Sequence, residues 1–278
     1  MGTGCDTILA QMAAEVMECD VDNVVVYGAD TDSSPYDSGS YASSTTYLTG
    51  RAVEEACTKL RESLMKIGAD LMGCAVEDVA FDGKRVYRLC ESAGAINEVS
   101  LVDIATKSMA NNAYETQFTS TTTSPVSPPP FMVGMAEVEI DTETGAIELL
   151  DYVAVADCGT PINPNLARVQ IEGGLAQGIG MALYEDIQYN EKGQLRNNSL
   201  MQYKIPSRQD VGKIRVDFAP SYEKSHPFGA KSIGEIVINT PCPAIANAVY
   251  NAVGVRIREM PITAEKIAME LLKRQESK

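Results

Sequence analysis

The chain contains 278 residues with a formal net charge of -15, and 45% of its residues are hydrophobic. This acidic balance argues against nucleic acid and anionic membranes as partners, because both repel negative charge. No run of about eighteen apolar residues is present, so no transmembrane helix is expected, and the N-terminal residues lack the basic and apolar regions of a secretory signal.

Seven cysteines lie far apart along the chain, and no two of them have the Cys-x-x-Cys spacing. Their odd number and wide spacing predict reduced thiols in a cytoplasmic protein. They do not indicate a disulfide framework, a zinc site or an iron–sulfur cluster bound by this chain. The only histidine is His226, so a histidine-based metal site made by this chain alone is excluded.

The first half, residues 1–127, is expected to form one subdomain. It opens on a Gly2-Thr3-Gly4 loop and a helix through about Glu18, for which Asp6 is a candidate N-cap. A glycine loop at a helix start can bind an anion through free N–H groups, and a simple cap or turn is the alternative. The other expected elements are a strand at 21–27, a helix at 49–72, short strands within 76–86 and at 98–99, a helix at 101–110 and a connector at 116–130.

Residues 28–46 form a long run of small polar residues with no basic side chain. One interpretation is a flexible linker. The other is a loop whose hydroxyl and N–H groups surround an oxygen-rich ligand such as a dinucleotide. Composition does not decide between them.

The second half, residues 128–278, begins with a predicted hairpin around Asp141–Gly145. A helix is then predicted from Pro164 to about Tyr184, although it contains several glycines that each cost about 1 kcal/mol relative to alanine. Close approach of another backbone or a ligand would explain them, and Gln170 is the polar side chain expected to point inward. The remaining predicted elements are strands at 200–205 and 214–218 and helices at 243–253 and 263–274.

The stretch Ser225–Pro241 combines His226, two glycines and an acid, Glu235, that directly follows Gly234. Apolar neighbours, Ile233 and Ile236, are expected to desolvate this carboxylate partly. Desolvation raises the pKa of a carboxylate toward neutrality, which suits a general base. An ordinary solvent-facing loop glutamate is the alternative.

Four segments in this order resemble the C-terminal part of the molybdenum-binding subunit of the xanthine dehydrogenase, or molybdenum hydroxylase, family. The resemblance covers nearly the whole chain. The segments are Gly2-Thr-Gly4 with Asp6 and Thr7; Asp37-Ser-Gly-Ser-Tyr-Ala-Ser-Ser-Thr-Thr46; Asp157-Cys-Gly-Thr-Pro-Ile-Asn-Pro164 with Gln170-Ile-Glu-Gly-Gly-Leu-Ala-Gln-Gly-Ile-Gly180; and Phe228-Gly-Ala-Lys-Ser-Ile-Gly-Glu235.

The resemblance implies an α+β molybdenum-cofactor-binding fold in which Glu235 is the catalytic base for hydroxylation by water. The substrate would be a small N-heteroaromatic compound of the nicotinate or purine type. The metal would be held by the dithiolene of molybdopterin, in its cytosine dinucleotide form, and not by the protein. The implied cofactor-binding residues are Gly2, Thr3, Gly4, Cys5, Asp6, Ala42, Ser43, Thr45, Gln170, Lys231, Ser232, Ile233 and Gly234.

The chain departs from the family pattern in two ways. Thr3 stands where many relatives have glutamine, which puts one side-chain contact to the pterin in doubt. The first half of the usual subunit is also absent, an arrangement similar to the medium molybdopterin subunit of split nicotinate dehydrogenase. The implied partners are a large molybdopterin subunit and chains that carry iron–sulfur clusters and FAD. The alternatives are an aldehyde oxidase, carbon monoxide dehydrogenase or hydroxybenzoyl-CoA reductase type of subunit, or a non-catalytic scaffold fragment.

Overall fold

The computed structural model describes residues 2–110, 114–124 and 126–276. The chain forms two compact units, Met1–Ser127 with Lys224–Ala230, and Pro128–Glu223 with Lys231–Lys278. Each unit combines helices with a three-stranded sheet, so the predicted α+β class is confirmed. Within the described residues, no helix has both the length and the apolar character needed to cross a membrane. Pro125, inside the predicted connector, lies outside the described residues.

The first unit is built on one long helix that packs against a small antiparallel sheet. Gly68 of this helix allows the close approach, because a Cβ there would lie 2.6 Å from the Cβ of Val86. Ile67, Val86 and Ile104 are fully buried in the resulting core. The elements are α1 (Cys5–Met17), α2 (Gly50–Met72), β1 (Val79–Phe81), β2 (Arg85–Arg88), β3 (Glu98–Ser100) and α3 (Leu101–Met109), with strand order β1-β2-β3.

Two predictions for this unit are wrong. Asp6 is not the N-cap of α1, because Gly4 takes that position in the left-handed conformation and Asp6 lies in the first helical turn. Residues 21–27 do not form a strand: Val21–Asn23 make a 3-10 turn and the following valines pair with no strand among the described residues. Val25 is 89% exposed. β-propensity needs a neighbouring strand and a packed face, and this segment has neither.

The second unit is a sheet with one antiparallel and one parallel pair. β4 (Phe131–Ile140) and β5 (Ile147–Asp157) form the predicted hairpin. α4 (Pro164–Leu183) then connects β5 to β6 (Lys213–Phe218), and such a crossover places β6 parallel to β5. α5 (Pro241–Val253) and α6 (Ala264–Glu276) complete the unit.

The strand predicted at 200–205 is wrong, because these residues form turns and irregular backbone. Leu200, Met201 and Ile205 are exposed, so the alternating pattern has no buried face. The core lies between the sheet and the helices, where Tyr152 and Leu175 are fully buried.

Candidate functional site

In the first unit, the glycine loop is shaped by positive backbone torsions at Gly2 (φ 80°) and Gly4 (φ 78°). These torsions favour glycine, since other residues adopt them only with strain. The Gly4 carbonyl accepts the first hydrogen bond of α1, from Ile8, and no side chain caps the helix. The first N–H groups of α1 therefore face away from the helix and are available to an anion or a carbonyl oxygen. Thr3 and Asp6 are exposed and Cys5 is half-buried beside this loop.

The polar run at 28–46 has a defined local structure at its end. Ala42 (φ 51°) and Ser43 (φ 53°) are consecutive non-glycine residues in the left-handed region. Each such residue costs about 1–2 kcal/mol, and strain of this kind is concentrated at binding sites. The hydroxyl of Thr45 donates to that of Ser40 at 2.7 Å, and the Ser44 hydroxyl donates to the carbonyl of Gly39. This local order argues against the flexible linker, and binding of a ligand by this loop stays a prediction.

His226 has a structural place in the first unit. It is 1% exposed, and its Nδ1 accepts hydrogen bonds from the backbone N–H groups of Phe228 (3.2 Å) and Ala230 (3.4 Å). The buried Tyr47 ring lies beside it, and the Tyr47 hydroxyl shares a 2.7 Å hydrogen bond with that of Ser225. An acceptor role for Nδ1 requires it to be unprotonated. These contacts define the conformation of the segment that precedes Lys231.

In the second unit, Lys231 is attached to the end of β5 by two hydrogen bonds. Its backbone N–H donates to the carbonyl of Cys158 at 2.8 Å. Its ammonium group lies 2.7 Å from Oδ2 of Asp157. The Cys158 thiol is buried, and burial, followed by the neighbouring Asp157 charge, raises its pKa to about 11. This thiol is therefore protonated at neutral pH and is not a nucleophile.

Asp157 is held by several donors. The backbone N–H of Gly159 and the hydroxyl of Ser221 donate to Oδ1, while Lys231 donates to Oδ2. Partial burial acts to raise the pKa of Asp157, but these hydrogen bonds outweigh it, so the pKa lies below its usual value. Asp157 stands in one of the four family-like segments, although the sequence analysis did not select it as a site residue.

The glycines of α4 allow the chain after Glu235 to pack directly on the helix. A Cβ on Gly174 would lie 2.6 Å from the Cβ of Val237 and closer still to Cγ2, and a Cβ on Gly178 would lie 2.6 Å from Cγ of Pro241. The predicted close approach of another segment is therefore confirmed. Val237 lies over Gly174 and Pro241 lies over Gly178, so this segment runs along α4 in the same direction as the helix. The residues before Val237 therefore lie toward Gln170. The i, i+4 spacing places half-buried Gln170 on the same face as Gly174.

The expected desolvation of Glu235 is wrong for this chain by itself, because Glu235 is exposed. Ile233 and Ile236 pack against the core cluster that contains Ile171 and Leu175. Their apolar side chains therefore cover that cluster and do not enclose the carboxylate. Ser232 is buried, whereas Gly234 is half-buried. Among the described residues, no acceptor is found for the backbone N–H groups of Ile233 and Gly234, so both can donate to a ligand.

The family is decided by comparison with known proteins. Residues 1–212 match the model of the molybdopterin cofactor-binding domain. The chain belongs to the molybdopterin-binding part of the molybdenum hydroxylase family. This result agrees with the donor groups of both units, since glycine loops, hydroxyls and free N–H groups suit an oxygen-rich, anionic cofactor.

Individual relatives show how much of the family protein this chain covers. It is 39% identical over 275 residues to the probable hypoxanthine oxidase XdhD of Escherichia coli (strain K12). The matched region covers 98% of this chain and 28% of that protein. It is 31% identical to the gamma subunit of the 6-hydroxypseudooxynicotine dehydrogenase complex of Paenarthrobacter nicotinovorans, with coverage of 96% and 34%. The crystal structure of quinoline 2-oxidoreductase from Pseudomonas putida 86 superposes with a TM-score of 0.83 at 30% identity, over 98% of this chain and 35% of that one. The chain thus spans about a third of the length of these family members.

The predicted site residues fall into two groups. The first unit contains the glycine loop with Cys5 and Asp6 and the residues Ala42, Ser43 and Thr45, and the second contains Gln170 and the loop Lys231–Glu235. Sequence reasoning missed Asp157, which pairs with Lys231, and Ser221, whose hydroxyl donates to Asp157. An aspartate at the end of a predicted strand was a usable signal for Asp157, whereas Ser221 stands in an irregular segment and carried none.

Proposed function

We propose that this chain is a subunit of a molybdenum-dependent hydroxylase in which Glu235 is the general base. The observation that carries the proposal is the placement of Glu235. Its carboxylate is exposed on a loop whose neighbours on both sides are anchored, Lys231 to the end of β5 and Val237 to α4. An exposed carboxylate is accessible to a proton donor, and a loop anchored on both sides holds it in one place, as general base catalysis requires.

The cofactor of the proposed enzyme is molybdopterin with molybdenum, in the cytosine dinucleotide form. When bound, it supplies the two-electron oxidation that accompanies hydroxylation of the substrate by water. In the first unit, Gly2 to Asp6 would donate backbone N–H groups, and Ala42, Ser43 and Thr45 would donate backbone and hydroxyl groups. In the second unit, Gln170 and the loop Lys231–Gly234 would bind it, with the N–H groups of Ile233 and Gly234 as the free donors, while the ammonium group of Lys231, which is paired with Asp157, would hold the loop in place. Glu235 would accept a proton at its carboxylate.

The proposed substrate is a small N-heteroaromatic compound of the purine or nicotinate type. Supporting this class, related proteins are described as a probable hypoxanthine oxidase and a nicotine 6-hydroxylase large subunit, and a similar structure is a quinoline 2-oxidoreductase. An aldehyde oxidoreductase or carbon monoxide dehydrogenase type of activity is the alternative, because proteins with those names also match over nearly the whole chain.

The proposed partners are a larger molybdopterin subunit and chains that carry iron–sulfur clusters and FAD, in a cytoplasmic assembly. Two observations support a large partner. Of the curated relatives, one is described as the gamma subunit of a dehydrogenase complex and another as the large subunit of a hydroxylase. In addition, β4 exposes Phe131, Val133 and Met135 in a row, and exposed apolar rows of this kind are typical of interaction surfaces.

The first experiment is native purification of the assembly with metal and nucleotide analysis. Molybdenum, CMP released by acid hydrolysis and co-purifying iron–sulfur and flavin chains are the expected result. A lone chain without molybdenum would contradict the proposal and support the scaffold alternative.

The second experiment compares Glu235→Gln with Glu191→Gln in that assembly. Glu191 is exposed in a turn of the same unit, so its substitution is a matched control. Glu235→Gln is expected to retain molybdenum and to lower kcat by at least ~10²–10⁴-fold, the usual contribution of a general base. Glu191→Gln is expected to behave as the wild type. Normal turnover by Glu235→Gln would refute the role of Glu235.

A further inference from the structure

The side chain of Lys231 is enclosed by groups of its own unit. Its exposed fraction is 11%, and that of its ion-pair partner Asp157 is 23%. The ammonium nitrogen also lies 5.5 Å from the centre of the Phe131 ring, on its face. An ammonium group with a carboxylate at 2.7 Å and an aromatic face beside it has its positive charge compensated within the chain.

The carboxylate that binds Lys231 belongs to a fixed part of the fold. Asp157 is the last residue of β5, and it also accepts hydrogen bonds from the backbone of Gly159 and the hydroxyl of Ser221. β5 is the central strand of the sheet, paired on both sides. The ion pair therefore ties the beginning of the Lys231–Glu235 loop to the strand that is hydrogen-bonded on both sides.

The same loop is held at its other end by α4. Val237 packs where Gly174 leaves no room for a side chain, and Ile233 and Ile236 pack against the neighbouring core cluster. Glu235 thus lies between two anchors, one electrostatic and one apolar. Of these, only the electrostatic anchor can be removed without changing the core.

We propose that the Lys231–Asp157 pair positions the loop that carries Glu235, and that Lys231 acts through Asp157 and not as a direct donor to cofactor or substrate. This inference rests on the proposed function for its catalytic consequence. The alternative is a direct role for the ammonium group. In that case Lys231 would have to leave Asp157, and a partly buried carboxylate would lose its strongest donor. Removal of one member of such a pair is strongly unfavourable.

The test is a double-mutant cycle in the native assembly, with Lys231→Met, Asp157→Asn and the double variant. If Lys231 acts only through Asp157, each single variant is expected to lower kcat by about ten- to hundredfold, the loss that corresponds to removing one hydrogen bond to a charged group. KM and the molybdenum content should stay unchanged. The double variant is expected to be no worse than the poorer single variant, because residues that act through one contact are not additive. Losses that multiply in the double variant, or loss of molybdenum in Lys231→Met alone, would overturn the proposal.

Hydrogen exchange supplies a readout that does not depend on activity. Amide exchange in Ser232–Ile236 is expected to become about tenfold faster or more in both single variants. Arg215→Met is the matched control, since Arg215 forms a 2.7 Å ion pair with Asp151 on the same sheet but is exposed. It is expected to leave exchange in the loop unchanged. Unchanged exchange in Lys231→Met and Asp157→Asn would refute positioning whether or not the assembly is a hydroxylase. An inactive wild-type assembly would refute only the proposed function.

Discussion

Adjacent glycines in α4 allow a sharp test of how the Glu235 loop is held. A Cβ at Gly174 would lie 2.6 Å from the Cβ of Val237, with Cγ2 closer still, whereas a Cβ at Gly173 would meet no atom within 4 Å. Gly174→Ala and Gly173→Ala therefore make the same chemical change in the same helical turn. They differ only in what the added methyl group contacts.

The magnitudes follow from two opposing effects. Replacing a helical glycine by alanine stabilises a helix by about 1 kcal/mol. At Gly173, which is exposed, this gain should be nearly the whole effect. At Gly174 the methyl group overpacks a buried contact, which costs about 1–3 kcal/mol, and the short distances favour the upper end. The expected result is a net loss of about 2 kcal/mol for Gly174→Ala and a gain of about 1 kcal/mol for Gly173→Ala.

The assay is urea unfolding of the purified chain, followed by kcat measurement in the native assembly. Gly174→Ala should also reduce kcat, because Val237 must move and Glu235 lies two positions before it in the chain. A second substitution, Val237→Ala, should relieve the overpacking only in part, since the Cβ at 2.6 Å remains. Equal stability of the two glycine variants would refute the reasoning that Gly174 is required for the loop to pack on α4.

Three further outcomes are expected, each measured by urea unfolding. The pKa of Asp157 is lowered in the folded state. Its charged contacts therefore stabilise the folded wild type at pH values above about 3.9, the pKa of an aspartate in the unfolded chain. The wild type should have a higher free energy of unfolding than Asp157→Asn at pH 7, and this difference should disappear as the pH falls below about 4. A difference that grew on acidification would contradict the lowered pKa of Asp157. His226→Ala should lower stability by about 2–4 kcal/mol, because it leaves a cavity and removes the acceptor of one buried and one partly buried N–H donor. His226→Asn should lose less, since its side-chain oxygen can replace Nδ1 as acceptor. Gly83→Ala should lower stability by more than 1 kcal/mol, because Gly83 has φ 81° and a Cβ there would lie 2.6 Å from the carbonyl carbon of Glu18. An unchanged unfolding midpoint would contradict this prediction.

The sequence by itself determined the α+β class, most helices and the hairpin around Asp141–Gly145. Their periodic apolar positions and turn glycines are local signals, and tertiary contacts did not override them. It also identified the glycines of α4 as positions of close approach, because glycine inside a helix is costly without such a reason. The order of four motifs identified the family, which the comparisons then confirmed.

Only the tertiary structure decided how the residues around Glu235 are used. Ile233 and Ile236 were expected to bury the carboxylate, and they instead cover the core beneath the loop. Val21–Tyr27 has the composition of a strand but found no neighbour to pair with among the described residues. The pairing of Lys231 with Asp157 joins residues that are far apart in the chain. Long-range contacts of this kind leave no periodic trace in the sequence, because they depend on which surfaces meet after the local elements have formed.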